Sequence, residues 1–188
     1  MEGAITIERL SSAVSKLCYI SIAVMPLILV WIWMDPERIA QDFSDTGDLV
    51  LPEAIGFLTR IFGFTLSIIP TILMIKGLLS LKEFLNNLQK SGFFNPNNPT
   101  LLRKFAYMLL GSTLARPLIG ALVSIVITIN NPPGQRMVAF SLGTDSLGTD
   151  SLGTDEISGV FVALLIMLLS LLIAESKSSV DERARLTT

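Results

Sequence analysis

Four long apolar runs alternate with polar segments of quite different character along this chain. The first covers about Lys16 to Met34, is rich in Ile, Leu, Val and Trp, and carries Pro26 near its middle. The second covers about 55–81, the third about 105–129 and the fourth about 157–174. Each approaches the roughly 20 apolar residues that an α-helix needs to cross a bilayer. Pro70 and Pro117 lie inside the second and third runs, so kinks are expected at three of the four spans. Tyr19, Trp31 and Trp33 fit the interfacial positions where an amphipathic ring meets the headgroups.

The pattern does not stop where the second run ends. Leu78, Leu81, Leu85 and Leu88, with Phe84 beside them, recur at three- and four-residue spacing. That period predicts a helix with one apolar face, protruding past the bilayer and ending near Ser91-Gly92. Phe93 to Asn97 is then a turn. Asn98-Pro99 predicts the start of the next helix, with Asn as N-cap and Pro at the first helical position. The segment 82–104 is therefore expected to be a helical hairpin between spans two and three.

The other connections read differently. Residues 35–54 form an acidic segment punctuated by Pro36, Gly47 and Pro52, expected to be a loop with a short helical piece. Residues 130–156 open on Asn-Asn-Pro-Pro-Gly and contain Ser-Leu-Gly-Thr-Asp three times in succession, at 141–145, 146–150 and 151–155. A five-residue tandem unit is far shorter than the roughly 20 residues of a solenoid repeat. Its Asp145, Asp150 and Asp155 lack the alternating acidic ligands of a calcium loop, so the repeat reads as a lengthened connection rather than a cation site. The tail 175–188 is mixed in charge.

Composition sharpens this outline. The chain has 188 residues, 51% of them hydrophobic and 16% charged, against about 25% charged in an ordinary soluble domain. The expected fold is an all-α, integral membrane four-helix bundle in a single domain. The start of the chain has mixed charge, and the apolar run after it is longer than a signal-peptide core, so the first span is expected to remain in the protein. The net charge of −2 argues against nucleic acid as a partner. There is no His and a single Cys, Cys18, so neither an internal disulfide nor a Cys/His metal site is expected.

Orientation follows from Lys and Arg, which accumulate on the cytoplasmic side. Arg9, Lys16, Lys82, Lys90, Arg103, Lys104, Lys177, Arg183 and Arg185 fall in the tails and the hairpin, whereas Arg38 and Arg136 lie in the other two connections. Both termini and the hairpin are thus expected in the cytoplasm, in an inner (plasma) membrane.

Charges inside a span are costly and point to function by default. Arg60 and Lys76 lie near span ends, where they can snorkel to water. Arg116 lies about 11 residues into the third run, roughly 17 Å at 1.5 Å per residue, which suggests the midplane. Two readings stand. Arg116 pins the bundle through carbonyls such as that of Thr113, left without a helical donor by Pro117. Alternatively, with Arg60, it binds an anion, a lipid headgroup or a partner's acid. No phosphate loop, nucleophile elbow, intramembrane acid pair or zincin motif occurs, so neither an enzyme nor a cofactor is expected.

The stretch Leu88-Gln89-Lys90-Ser91-Gly92-Phe93-Phe94-Asn95, followed by Leu101-Leu102-Arg103-Lys104-Phe105, resembles a bacterial inner-membrane family, domain-of-unknown-function family 2975. The ending, with Ile173-Ala174-Glu175, Asp181-Glu182 and Leu186-Thr187, is similar too. The resemblance covers about residues 55–188, and the triple repeat departs from it. It implies a four-span fold and brings no catalytic residues. Some members are encoded beside small helix-turn-helix regulators, which by analogy implies membrane signalling or regulation. The expected role is therefore non-enzymatic, acting through a protein partner at Lys90, Gly92, Phe93, Phe94, Arg103 and Lys104, with the bilayer around the spans. The alternative is a small transporter or channel subunit, working as a homo-oligomer on an anionic solute through Arg116 and Arg60.

Overall fold

The computed structural model describes residues 2–37, 39, 55–91, 95–129, 131–132 and 154–186. All four long elements are helices: α1 Glu2–Met34, α2 Phe57–Ser91, α3 Asn98–Thr128 and α4 Thr154–Leu186. No strand occurs among the described residues. Each helix contains a stretch long and apolar enough to cross a membrane. Each also outruns its apolar core. α1 begins well before Lys16, α2 continues to Ser91 along the periodic Leu face, and α4 extends through the charged tail. The first turn of α4 holds Thr154 and Asp155, so the third repeat ends inside a helix rather than wholly in a loop.

Helices adjacent in sequence pack together: α1 on α2, α2 on α3 and α3 on α4, the α2–α3 interface being the most extensive. α1 and α4 form no comparable interface, so the described helices make an open series rather than a closed ring. The register is antiparallel. Ser112 Oγ donates to the Pro70 carbonyl at 3.1 Å, and a Cβ on Gly77 would meet Phe105 and Met108.

The distribution of side chains along α3 is compatible with a surrounding of lipid. Its buried positions include Ala106, Ser112, Thr113, Ala121, Ser124 and Thr128. Its exposed positions include Leu114, Leu118, Leu122, Ile125 and Ile129, spaced at three and four residues. Water would select the reverse arrangement. In a bilayer, lipid solvates Leu and Ile as well as the protein interior does, and small residues let helices approach closely. The inward hydroxyls stay satisfied: Thr113, Ser124 and Thr128 donate to the carbonyls of Leu109, Ala121 and Ser124 at 2.8–2.9 Å.

A glycine lies in close contact at each helix interface. Gly63 of α2 lies against the outer edge of the Trp33 ring of α1, Gly77 of α2 against Phe105 and Met108 of α3, and Gly159 of α4 against Thr113 of α3. A Cβ on Gly159 would fall 2.9 Å from Thr113 Oγ1. Gly159→Leu is accordingly expected to loosen α4, read as faster proteolysis of the connection between α3 and α4 in detergent, with Gly159→Ala intermediate.

Two apolar clusters fasten the ends. Cys18, Leu78, Phe84, Leu85, Leu102, Phe105 and Ile173 join all four helices near the α2–α3 turn. Trp33, Ile39, Ile55, Val123 and Ile127 close the opposite end. There Asp35 starts a new turn: its Oδ1 accepts from Glu37 N at 3.1 Å and its carbonyl from Ile39 N at 3.3 Å, folding Ile39 into the cluster. This is the short helical piece expected after the first span.

Candidate functional site

The described residues between Lys82 and Lys104 are the end of α2, a turn at Asn95–Asn98 and the start of α3. α2 carries Lys82, Glu83, Asn86, Asn87, Gln89 and Lys90 past the apolar stretch, while Phe84 and Leu85 of the same helix are buried. α3 returns with Arg103 and Lys104 exposed and Leu102 and Phe105 buried. Two faces of each helix thus separate, the apolar one into the cluster and the charged one outward. Ser11 of α1 ties this end further, donating to the Leu85 carbonyl at 3.2 Å and accepting from Gln89 Nε2 at 3.1 Å. Ser11→Ala is expected to cost about 1 kcal/mol, the usual net worth of such a bond. Its measure is the midpoint of thermal unfolding in detergent.

The start of α3 differs in detail from the expected cap. The flanking residue is Asn97, not Asn98, and no side chain caps the helix. Instead Asn95-Pro96-Asn97-Asn98 forms a tight turn. Asn98 N donates to the Asn95 carbonyl at 3.1 Å, and Asn95 Oδ1 accepts from Asn97 N at 3.0 Å. Pro96 presets the second turn position, and Asn97, with φ −84° and ψ −16°, suits the third. Asn98 is then the first helical residue and fully buried. The competing principle is that an Asx turn and an N-cap use the same side-chain chemistry two residues apart. Of the expected contact residues, Lys90, Arg103 and Lys104 are exposed at this end, while Gly92, Phe93 and Phe94 lie outside the described residues.

Arg60 and Arg116 have different surroundings. Arg60 reaches from α2 to the C-terminal end of α1, where its Nη1 lies 3.5 Å from the Met34 carbonyl. Its guanidinium also sits 5.9 Å from the Phe57 ring centroid. A cation at a helix C-terminus is favourable, and this occupies Arg60 structurally. Nε of Arg60 is nevertheless buried with no partner among the described residues.

Arg116 departs further from expectation. By helical angle it falls between the buried Ser112 and Thr113, on the inward face of α3, yet it is exposed. No hydrogen bond or ion pair to it is found among the described residues, so it does not hold the Thr113 carbonyl freed by Pro117. Its depth also differs from one neighbour to the next. Thr113 faces Gly159, so Arg116, one turn beyond, is level with the first turn of α4, where Asp155 and Glu156 occur. Against α2 it is level with about Leu66, four residues beyond the Ser112–Pro70 contact. Arg116 thus lies at the edge of α4's apolar stretch and well within that of α2. Spacing along one helix gives depth only when neighbouring helices are in step, and α4 is displaced.

No group of three or more metal-binding side chains occurs among the described residues. No family model matches the chain, and neither curated proteins nor solved structures show a match to it.

Proposed function

We propose that this multi-pass membrane protein works by interaction rather than catalysis, with the α2–α3 end as its contact surface and both termini in the cytoplasm. The observation that carries the reading is the packed, two-faced end itself. Lys90, Arg103 and Lys104 stand on helices fastened by Phe84, Leu85, Leu102 and Phe105, so a partner meets an ordered surface and loses little entropy in ordering it. A role in membrane signalling agrees with the resemblance to domain-of-unknown-function family 2975, which belongs to the same proposal. The basic excess at this end favours an acidic partner surface. In-cell crosslinking followed by affinity capture tests it. The variant Lys90→Glu/Arg103→Glu/Lys104→Glu is expected to lose the partners, as is Phe93→Ala/Phe94→Ala. Unchanged partners in both variants overturn the reading. A fusion after Thr188 whose reporter works only outside the cell overturns the orientation.

Arg116 supports a second reading, a subunit of an oligomeric pathway for an anionic solute. A cation on the inward face that is nonetheless accessible is what such a pathway requires. Anion flux in proteoliposomes, lost in Arg116→Leu and Arg116→Ala, is the expected result. If both variants fold and keep the native phenotype, Arg116 has no such role.

A further inference from the structure

We propose that the furrow between α1 and α2 at Lys16, Tyr19 and Lys82 is a binding site for the phosphate of an anionic phospholipid. The groove is lined by Ser15, Lys16, Tyr19, Ile20 and Lys82 and has a volume of about 370 Å³. Lys82 Nζ lies over the Tyr19 ring, 5.0 Å from its centroid. That stacking holds one ammonium beside the groove, and Lys16, one turn before Tyr19 on α1, supplies a second. No ion pair of Lys16 or Lys82 with a carboxylate occurs among the described residues. Glu83, next to Lys82, is exposed but lies about 100° around the helix from it.

The surroundings select a lipid over a soluble phosphate ester. On α1 the face of Tyr19 continues through Ala23 and Leu27, four residues apart, and all are exposed. On α2 the face of Lys82 continues through Leu79 and Ile72, also exposed. Because the two helices are antiparallel, both faces run from the charged end into the apolar stretch. An acyl chain thus follows the furrow while its phosphate meets Lys16, Lys82 and the Ser15 hydroxyl. Basic pockets between spans are a general mode of anionic-lipid recognition, and Tyr suits the interface because its ring is apolar and its tip is wet.

The experiment uses the full chain in phosphatidylcholine vesicles containing spin-labelled phosphatidylglycerol or, in parallel, spin-labelled phosphatidylcholine. The immobilised fraction in the spectrum reads the relative affinity. The native protein is expected to prefer the anionic label. Lys82→Gln is expected to reduce the preference about fivefold and Lys16→Gln/Lys82→Gln about 25-fold, from the contribution of each lysine at a membrane surface. Tyr19→Leu, which removes the stacking surface without changing charge, is expected to give a smaller loss, and serves if the double variant misfolds by circular dichroism. Lys90→Gln/Lys104→Gln is expected to keep the preference. Native preference in Lys82→Gln and Tyr19→Leu overturns the site, and an equal loss in the Lys90/Lys104 control reduces it to general surface charge. Displacement of the label by millimolar glycerol 3-phosphate would assign the site to a soluble ester instead.

Discussion

Phe84→Ala is expected to destabilise the protein by about 3–5 kcal/mol, the usual cost of truncating a buried aromatic side chain. Phe84 is 8% exposed and belongs to the cluster that joins all four helices. Its neighbours in sequence are polar, with Lys82, Glu83, Asn86 and Asn87 around it, so this end of α2 is expected to project into water. There the hydrophobic effect acts at its full strength of roughly 25 cal/mol per Å². The comparison is Leu168→Ala on α4. Leu168 is 54% exposed, on a face that meets lipid, and its removal is expected to cost under about 1 kcal/mol because no packed cavity opens. Chemical unfolding in mixed micelles, followed by circular dichroism, checks both. Equal effects would mean that the cluster around Phe84 is not the fastening of this end.

Gly77→Leu is the second large effect, and it tests packing inside the bilayer. A Cβ at Gly77 would lie 3.1 Å from Met108 Cβ and 3.3 Å from Phe105 Cδ2. A leucine there forces α2 and α3 apart along their most extensive interface. Overpacking of this kind costs about 1–3 kcal/mol, and here it also pulls Ser112 from the Pro70 carbonyl. Gly111 supplies the contrast. Its nearest neighbour would be Leu73 Cδ1 at 3.8 Å, an ordinary contact, so Gly111→Ala is expected to be tolerated. A cysteine pair across α2 and α3 would report the separation through its crosslinking rate, slower in Gly77→Leu and unchanged in Gly111→Ala.

Much of the architecture was legible in the residues. The four apolar runs appear as four helices, and the Leu78–Leu88 period correctly extends α2 to Ser91. Boundaries moved where two local signals compete, as at Asn97 and Asn98, whose neighbours Asn95 and Pro96 form a turn first. α1 also begins well before its apolar run, because the polar residues before Lys16 carry no membrane signal although Ser11 lies buried against α2. The candidate arginines were visible as isolated charges in apolar runs. Their surroundings were not: Arg60 meets the end of α1, whereas Arg116 faces inward and stays accessible.

Composition and periodicity alone determine that this chain makes long apolar helices, because span length and the helical repeat are properties of single segments. They cannot assign depth or partners between segments. Which glycine notches which interface, how far α4 is displaced against α3, and that Lys16, Tyr19 and Lys82 line one furrow all depend on how antiparallel helices register. The lipid-facing Leu and Ile side chains do not set that register, since neighbouring helices and lipid solvate them almost equally. It is set by the few positions where small residues, hydroxyls and aromatic rings meet across an interface.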